Sequence, residues 1–302
     1  MSKRKIHFLG FLANVDDSIL KLNIGEGFRT EKMSQEKIKP FLDKVGFHYG
    51  TEGQGDILTQ GTLPKCYCMI KDNVDEFEST EQGGVVIKWR SLSPIHTQMS
   101  DSINLLRLYK EGDILLRFSF LHYGGITKPG ICRVLREGPL WSKSIFSLKN
   151  DEVSEAQNLI DTIQVPFQHE FLRLAFDSFN LSYEMHNLNL LFLSLMISME
   201  AMFNLSRSEV RFQVSRNTAV LLGKDKENAE QIFRNMKELY VKRSNIVHGS
   251  KSQKIRIDET DIMKLREYVR QSIKEIHFIG KEKQEIINVL NSCGFGQRPW
   301  RN

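Results

Sequence analysis

Residues 226–249 read KENAEQIFRNMKELYVKRSNIVHG, and their periodicity decides the reading of the second half of the chain. Ala229, Ile232, Phe233, Met236, Leu239 and Tyr240 recur at intervals of three and four, the spacing that places side chains on one face of a helix. Arg243 comes seven residues after Met236 and continues the middle of that stripe, where packing alone would place Leu or Met. His248 ends the run and Gly249 follows, the residue that most readily takes the left-handed conformation closing a helix. An unwound last turn would bring Arg243 and His248 toward one point.

The same periodicity extends outward through most of the chain beyond Asp151. It predicts helices over 152–163, 166–181, 185–205, 208–222, 226–247, 259–279 and 282–292, with Pro166 in a first turn and Gly223 and Gly280 just past helix ends. Residues 1–150 have another texture. Strands are expected over 6–12, 19–22, 67–70, 85–89, 114–121 and 140–147, and helices over 34–45, with Pro40 as a kink, and 100–109. The chain therefore reads as α+β: a mixed domain over 1–150 joined near residues 149–152 to an all-helical domain over 151–302. Residues 294–302 show no periodicity and either hang free or dock locally.

With 302 residues, 40% hydrophobic and 26% charged, the composition is that of a globular protein with enough apolar side chains for packed cores, and it excludes collagen-like or wholly disordered classes. The net charge of +5 permits an anionic partner. Basic residues at the start are followed by Asn14, Asp16 and Asp17 rather than by a long apolar run, so a cytoplasmic location is expected. The most apolar stretch, 190–203, is short of the roughly twenty residues that span a bilayer, and it reads as a buried helix with no membrane partner. Cys66, Cys68, Cys132 and Cys293 lack zinc-site spacing; free thiols, no metal and no cofactor are expected. Gly25-x-Gly27 and Gly53-x-Gly55 lack the rest of a nucleotide-binding fingerprint.

Within 188–203 the single charged residue is Glu200, and a carboxylate in such surroundings needs a partner. An interhelical pair with Arg243 supplies one, and it would also hold the guanidinium toward an anionic ligand. Arginine stays protonated and matches phosphate oxygens bidentately, while histidine exchanges protons near neutrality. Together they suit RNA cleavage in which the histidine deprotonates the ribose 2′-hydroxyl and the arginine stabilises charge on the phosphoryl oxygens. Spacing alone does not select this pair, because 18 Arg and 8 His also give Arg90 with His96, Arg117 with His122 and Arg270 with His277. Pro94 interrupts the first, the second lies in a strand-like run, and the third lies inside an unbroken helix.

The run Tyr240-Val241-Lys242-Arg243-Ser244-Asn245-Ile246-Val247-His248-Gly249 resembles the Arg-x4-6-His signature of the HEPN superfamily, and Ser198-Met199-Glu200-Ala201-Met202-Phe203 is similar to the central helix of its Apea-like branch. The resemblance covers about residues 155–290. It implies a helical bundle, homodimerisation that places two Arg–His pairs in one cleft, and metal-independent endoribonuclease activity in a toxin or antiphage-defence role. Some members of that superfamily only bind. Many active members carry Asn, Asp or His after the arginine, where this chain has Ser244.

Arg243, His248 and Glu200 are thus the expected catalytic set, with Tyr240, Ser244, Asn245, Lys251 and Lys254 as expected RNA contacts. Residues 205–256 hold 12 basic against 5 acidic side chains, a surplus of +7 that leaves the rest of the chain at −2 and would attract a phosphate backbone. Two classes of function remain: a dimeric endoribonuclease acting on single-stranded RNA under the control of residues 1–150, or a non-catalytic interaction protein with a structural Arg–His–Glu cluster. In the first, residues 1–150 sense or target and restrain the nuclease; in the second they bind a protein or nucleic-acid partner.

Overall fold

The computed structural model describes residues 2–25, 27–43, 65–79, 92–126, 129–136, 144–185, 187–205, 208–249, 256–297 and 299–300. The expected strand at 85–89, the first part of that at 140–147, the Gly53-x-Gly55 pair, and Lys251 and Lys254 lie outside them. The chain divides into two compact units, Met1–Gln164 and Val165–Asn302.

The first unit is built on an antiparallel sheet of β1 (Ser2–Ala13), β2 (Arg29–Ser34), β3 (Lys65–Ser79), β4 (Leu115–Tyr123) and β5 (Gly130–Arg136), in the order β2-β3-β1-β4-β5. β1 is central and buries both faces, which is why it reads as an apolar run rather than an alternation. Ile6, Phe8 and Leu12 enter one core with Met99, Ile103 and Leu106 of α2 (Leu92–Tyr109) and Ala156 of α3 (Asn150–Thr162). Leu9 and Phe11 enter the other with Ile38 and Phe41 of α1 (Gln35–Leu42), whose Pro40 lies inside the helix.

Three expectations for this unit are corrected. Residues 17–21 form a 3-10 turn and not a strand, because Asp16 accepts from the Ser18 backbone N–H and caps it. Residues 144–147 contribute only an isolated bridge between Phe146 and Val15. The boundary falls at Gln164 rather than at 149–152, because α3 is bonded to the first unit. Lys21 donates to Asn150, Gln157 bonds the Asn23 backbone in both directions, Tyr109 donates to Glu155, and Lys110 pairs with Glu152 at 2.7 Å.

The second unit is helical throughout: α4 (Glu170–Leu181), α5 (Leu188–Phe203), α6 (Val210–Leu222), α7 (Lys226–His248), α8 (Glu259–Ile279) and α9 (Lys283–Ser292). Pro166 precedes α4 by four residues in a cis bond to Val165, so the expected start at 166 is four residues early. α5 packs on α4 through apolar side chains and two buried hydroxyls: Ser194 donates to the Ser178 carbonyl and Ser198 to that of Ala175, both at 2.7 Å. Its opposite face is open, which corrects the reading of a wholly buried helix. Leu190 and Ile197 are about half exposed, and Leu193 and Ala201 fall on the same stripe. Beyond α9 the chain docks locally, with Phe295 against Phe233 and the Arg216 guanidinium donating to the Leu290, Asn291 and Cys293 carbonyls. Among the described residues no helix is long and apolar enough to cross a membrane.

Candidate functional site

α7 begins at Asp225, whose carboxylate accepts from the Asn228 N–H, and ends at Gly249, which holds the left-handed conformation at φ 62°. A side chain at that φ would be strained, so the glycine fixes where the helix stops. Ala229, Ile232, Met236, Leu239 and Tyr240 are buried as their spacing requires. Arg243 takes the next place on that face and meets Glu200 of α5, with Nε 3.2 Å from Oε1. The expected interhelical pair is therefore formed. It is not fully buried: the side chains are 27% and 22% exposed.

Tyr240, expected as an RNA contact, is tied to the same carboxylate. Its hydroxyl donates to the same Glu200 Oε1 at 2.9 Å, and its ring lies 5.6 Å from the centre of the Arg243 guanidinium. Burial and the hydrogen bond to an anion hold the phenol proton, pushing its pKa up to about 12, while Arg243 acts in the opposite direction. One carboxylate oxygen thus fixes both side chains. Among the described residues the terminal amino groups of Arg243 make no hydrogen bond.

His248 is exposed at the last helical position and takes no part in the Glu200 cluster. The expected unwound last turn is absent, since α7 is helical through His248. Five residues of α-helix separate Arg243 and His248 by about 140° in projection and about 7.5 Å along the axis. Within one chain they diverge. Ser244 is partly exposed, and Asn245 is partly buried with its Nδ2 covered and lacking a hydrogen-bond partner, an unsatisfied donor between arginine and histidine.

The basic surplus is partly consumed by structure. Lys242 pairs with Asp261 at 2.5 Å and ties the end of α7 to the start of α8, and Arg216 caps α9. Arg211, Lys224, Lys226, Lys237 and Arg256 are exposed. Val247, eleven residues beyond Met236 and on the same face, is half exposed, so the last turn of α7 overhangs the core it otherwise covers.

No family model, no curated protein and no solved structure matches this chain.

Proposed function

We propose that the protein is a metal-independent endoribonuclease of HEPN type, acting on single-stranded RNA as a homodimer in a toxin or defence role. The observation that carries this reading is the held arginine: Glu200 and Tyr240 fix Arg243 by one side and leave its terminal fork open, while His248 stands exposed outside that cluster. A purely structural Arg–His–Glu cluster would include His248.

Because Arg243 and His248 diverge in one chain, the productive pair is composite: the arginine of one copy with the histidine of another. The open face of α5, with Leu190, Leu193, Ile197 and Ala201 leading up to Glu200, and the overhanging Val247 are the apolar surfaces a second copy covers. His248 takes the 2′-hydroxyl proton, the 2′-oxygen attacks the adjacent phosphorus, and Arg243 stabilises the charge gathering on the phosphoryl oxygens. The bond to the 5′-oxygen breaks, a proton from solvent or the second imidazole is delivered to it, and a 2′,3′-cyclic phosphate and a 5′-hydroxyl remain.

The test incubates purified protein with single-stranded RNA in excess chelator, with sedimentation run in parallel. The expected result is a dimer that leaves 2′,3′-cyclic ends on RNA and spares DNA. Arg243→Lys and His248→Ala proteins are each inactive, and mixing them restores cleavage by forming one intact composite site. Cleavage by a monomer, a requirement for added Mg²⁺, or activity surviving in His248→Ala would each overturn the reading.

A further inference from the structure

In the second unit phenylalanines from three segments meet in a row. Phe212 of α6 lies edge-to-face against Phe233 of α7, with centroids 5.9 Å apart and planes at 85°, and Phe233 meets Phe295, beyond α9, at 5.4 Å. Phe233 and Phe295 are partly covered, whereas Phe212 is 50% exposed. The supports of this row are fixed. Arg216, one turn along α6 from Phe212, donates to the Leu290, Asn291 and Cys293 carbonyls and so fastens the segment that carries Phe295. Gly296 lies so close to the start of α7 that a Cβ there would come within 2.6 Å of the Lys226 nitrogen. Lys237 lays its Nζ 5.2 Å from the centre of the Phe233 ring. The surroundings are basic. Arg211 is exposed beside Phe212, and at about 100° per residue the exposed Lys226 and Lys237 fall within about 40° of Phe233. Glu209, three residues before Phe212, and Glu230, paired with Arg234 at 3.9 Å, are the acidic side chains beside them, while Glu227 and Glu238 fall about 120° and 140° round α7.

We infer that this ridge is a stacking site for single-stranded RNA: a base lies on the exposed part of the Phe212 ring, and Arg211 and Lys237 hold the neighbouring phosphates. Every base has a π-face and every nucleotide a phosphate, so a pinned, half-exposed ring flanked by cations matches a single strand without reading its sequence. The bases of a duplex are already stacked on one another and do not offer that face. The cations favour a polyanion over a purely apolar partner. Phe233 and Arg216 are positioning residues, which hold the platform in place before the strand arrives and so reduce the cost of ordering it. The ridge also points toward the histidine. On α7 Phe233, Lys237, Val241, Ser244 and His248 fall within an arc of about 80°, and about 22 Å of helix separates the first from the last, a run that a few nucleotides cover. The choice of RNA, and the delivery of its next nucleotides to His248, rest on the nuclease reading above; the stacking site rests on the rings and the charges.

The test titrates a short fluorescent single-stranded RNA carrying 2′-O-methyl riboses with the full chain and reads anisotropy. Methylation removes the nucleophile, so binding is read apart from cleavage. The expected result is saturable binding that weakens steeply with salt. Phe212→Ala loses roughly 5–150-fold in affinity, the range for one stacked base. Phe212→Leu, which keeps apolar bulk without a π-face, is nearly as weak, and Phe212→Trp restores binding. Lys237→Gln lowers the slope of log affinity against log salt by about 0.7. Because the Phe212 ring is half exposed, circular dichroism and sedimentation of its variants stay at wild type. No binding by the wild-type protein, Phe212→Leu as tight as wild type, or Phe212→Ala that alters sedimentation and leaves affinity unchanged, the mark of a protein interface, would each overturn the site. The two readings fail separately. Binding that depends on Phe212 in a protein that never cuts unmodified RNA keeps the ridge and removes the nuclease, whereas cutting by a protein whose Phe212 variants bind as tightly as wild type does the reverse.

Discussion

α7 and α8 each carry an arginine followed within seven residues by a histidine, and the structure gives the two pairs opposite environments. Arg270 is 2% exposed, held by Glu267 and by the Tyr183 hydroxyl, with Phe179 beneath it. His277, in the last turn of α8, packs on Phe167, and burial pushes its pKa down. Arg243 is partly open, fixed from one side, and followed by an exposed histidine at a helix end. Both histidines lie in the last turn of a helix closed by a left-handed glycine, so what separates the two pairs is cover: Phe167, Phe179 and Tyr183 pack on the α8 pair, while the end of α7 is exposed.

The sharpest way to break this comparison is to delete the histidines. On the proposed mechanism His248→Ala lowers turnover roughly 10²–10⁴-fold, while His277→Ala leaves turnover of the folded protein near wild type, measured by release of labelled cyclic-ended fragments. Equal losses would erase the distinction. The arginines come next, in stability rather than rate. Arg270→Ala empties a buried space beside Phe179 and costs about 2–5 kcal/mol in urea unfolding, chiefly through lost packing, because Glu267 is half exposed and keeps the Gln271 side chain. Arg243→Lys keeps the charge at a partly open site and costs under about 1 kcal/mol, because Glu200 retains the Tyr240 hydroxyl.

The smallest effect lies in the Tyr240–Glu200 bond. Glu200→Gln removes the anion and lets the phenol titrate closer to the usual tyrosine value, read as phenolate absorbance in a pH titration. The sign follows from the raised folded pKa. The folded state holds the proton more tightly than the unfolded one, so this contribution to stability is whole below about pH 10 and is lost as pH rises toward 12. Tyr240→Phe removes that alkaline loss, and unchanged alkaline unfolding in the variant would detach the tyrosine from Glu200.

How much was legible in the sequence depended on where the deciding interactions lie. α8 was read with its observed bounds, Glu259–Ile279, because its signals are local: Asp258 and Asp261 bond each other's backbone at one end and Gly280 turns left-handed at the other. β2 was missed because Arg29, Glu31 and Lys32 give an edge strand almost no apolar alternation, and its pairing with β3 is set by residues more than thirty positions away. α2 starts earlier than the expected residue 100 because Pro94, read as an interruption, sits in the first turn, where its missing N–H costs nothing. At the site, a lone carboxylate in an apolar run and an arginine in an apolar stripe were enough to pair Glu200 with Arg243. Tyr240 at a buried position reads as core, and nothing local shows that its hydroxyl would meet that carboxylate.

The position of β1 also bears on how the chain is made. The middle strand of the sheet leaves the ribosome before its neighbours: its partners in β3 and β4 begin at Lys65 and Leu115. At a translation rate of about 5–20 residues per second, the segment from Phe8 to Ala13 waits roughly 5–20 seconds between its own synthesis and that of β4. Throughout that interval a strand destined for burial on both faces has at most one edge satisfied, and it belongs to the sort of segment that nascent-chain chaperones shield. Slower translation lengthens that wait, so codon choice between Ala13 and Leu115 should influence soluble yield without altering a single residue of the finished protein.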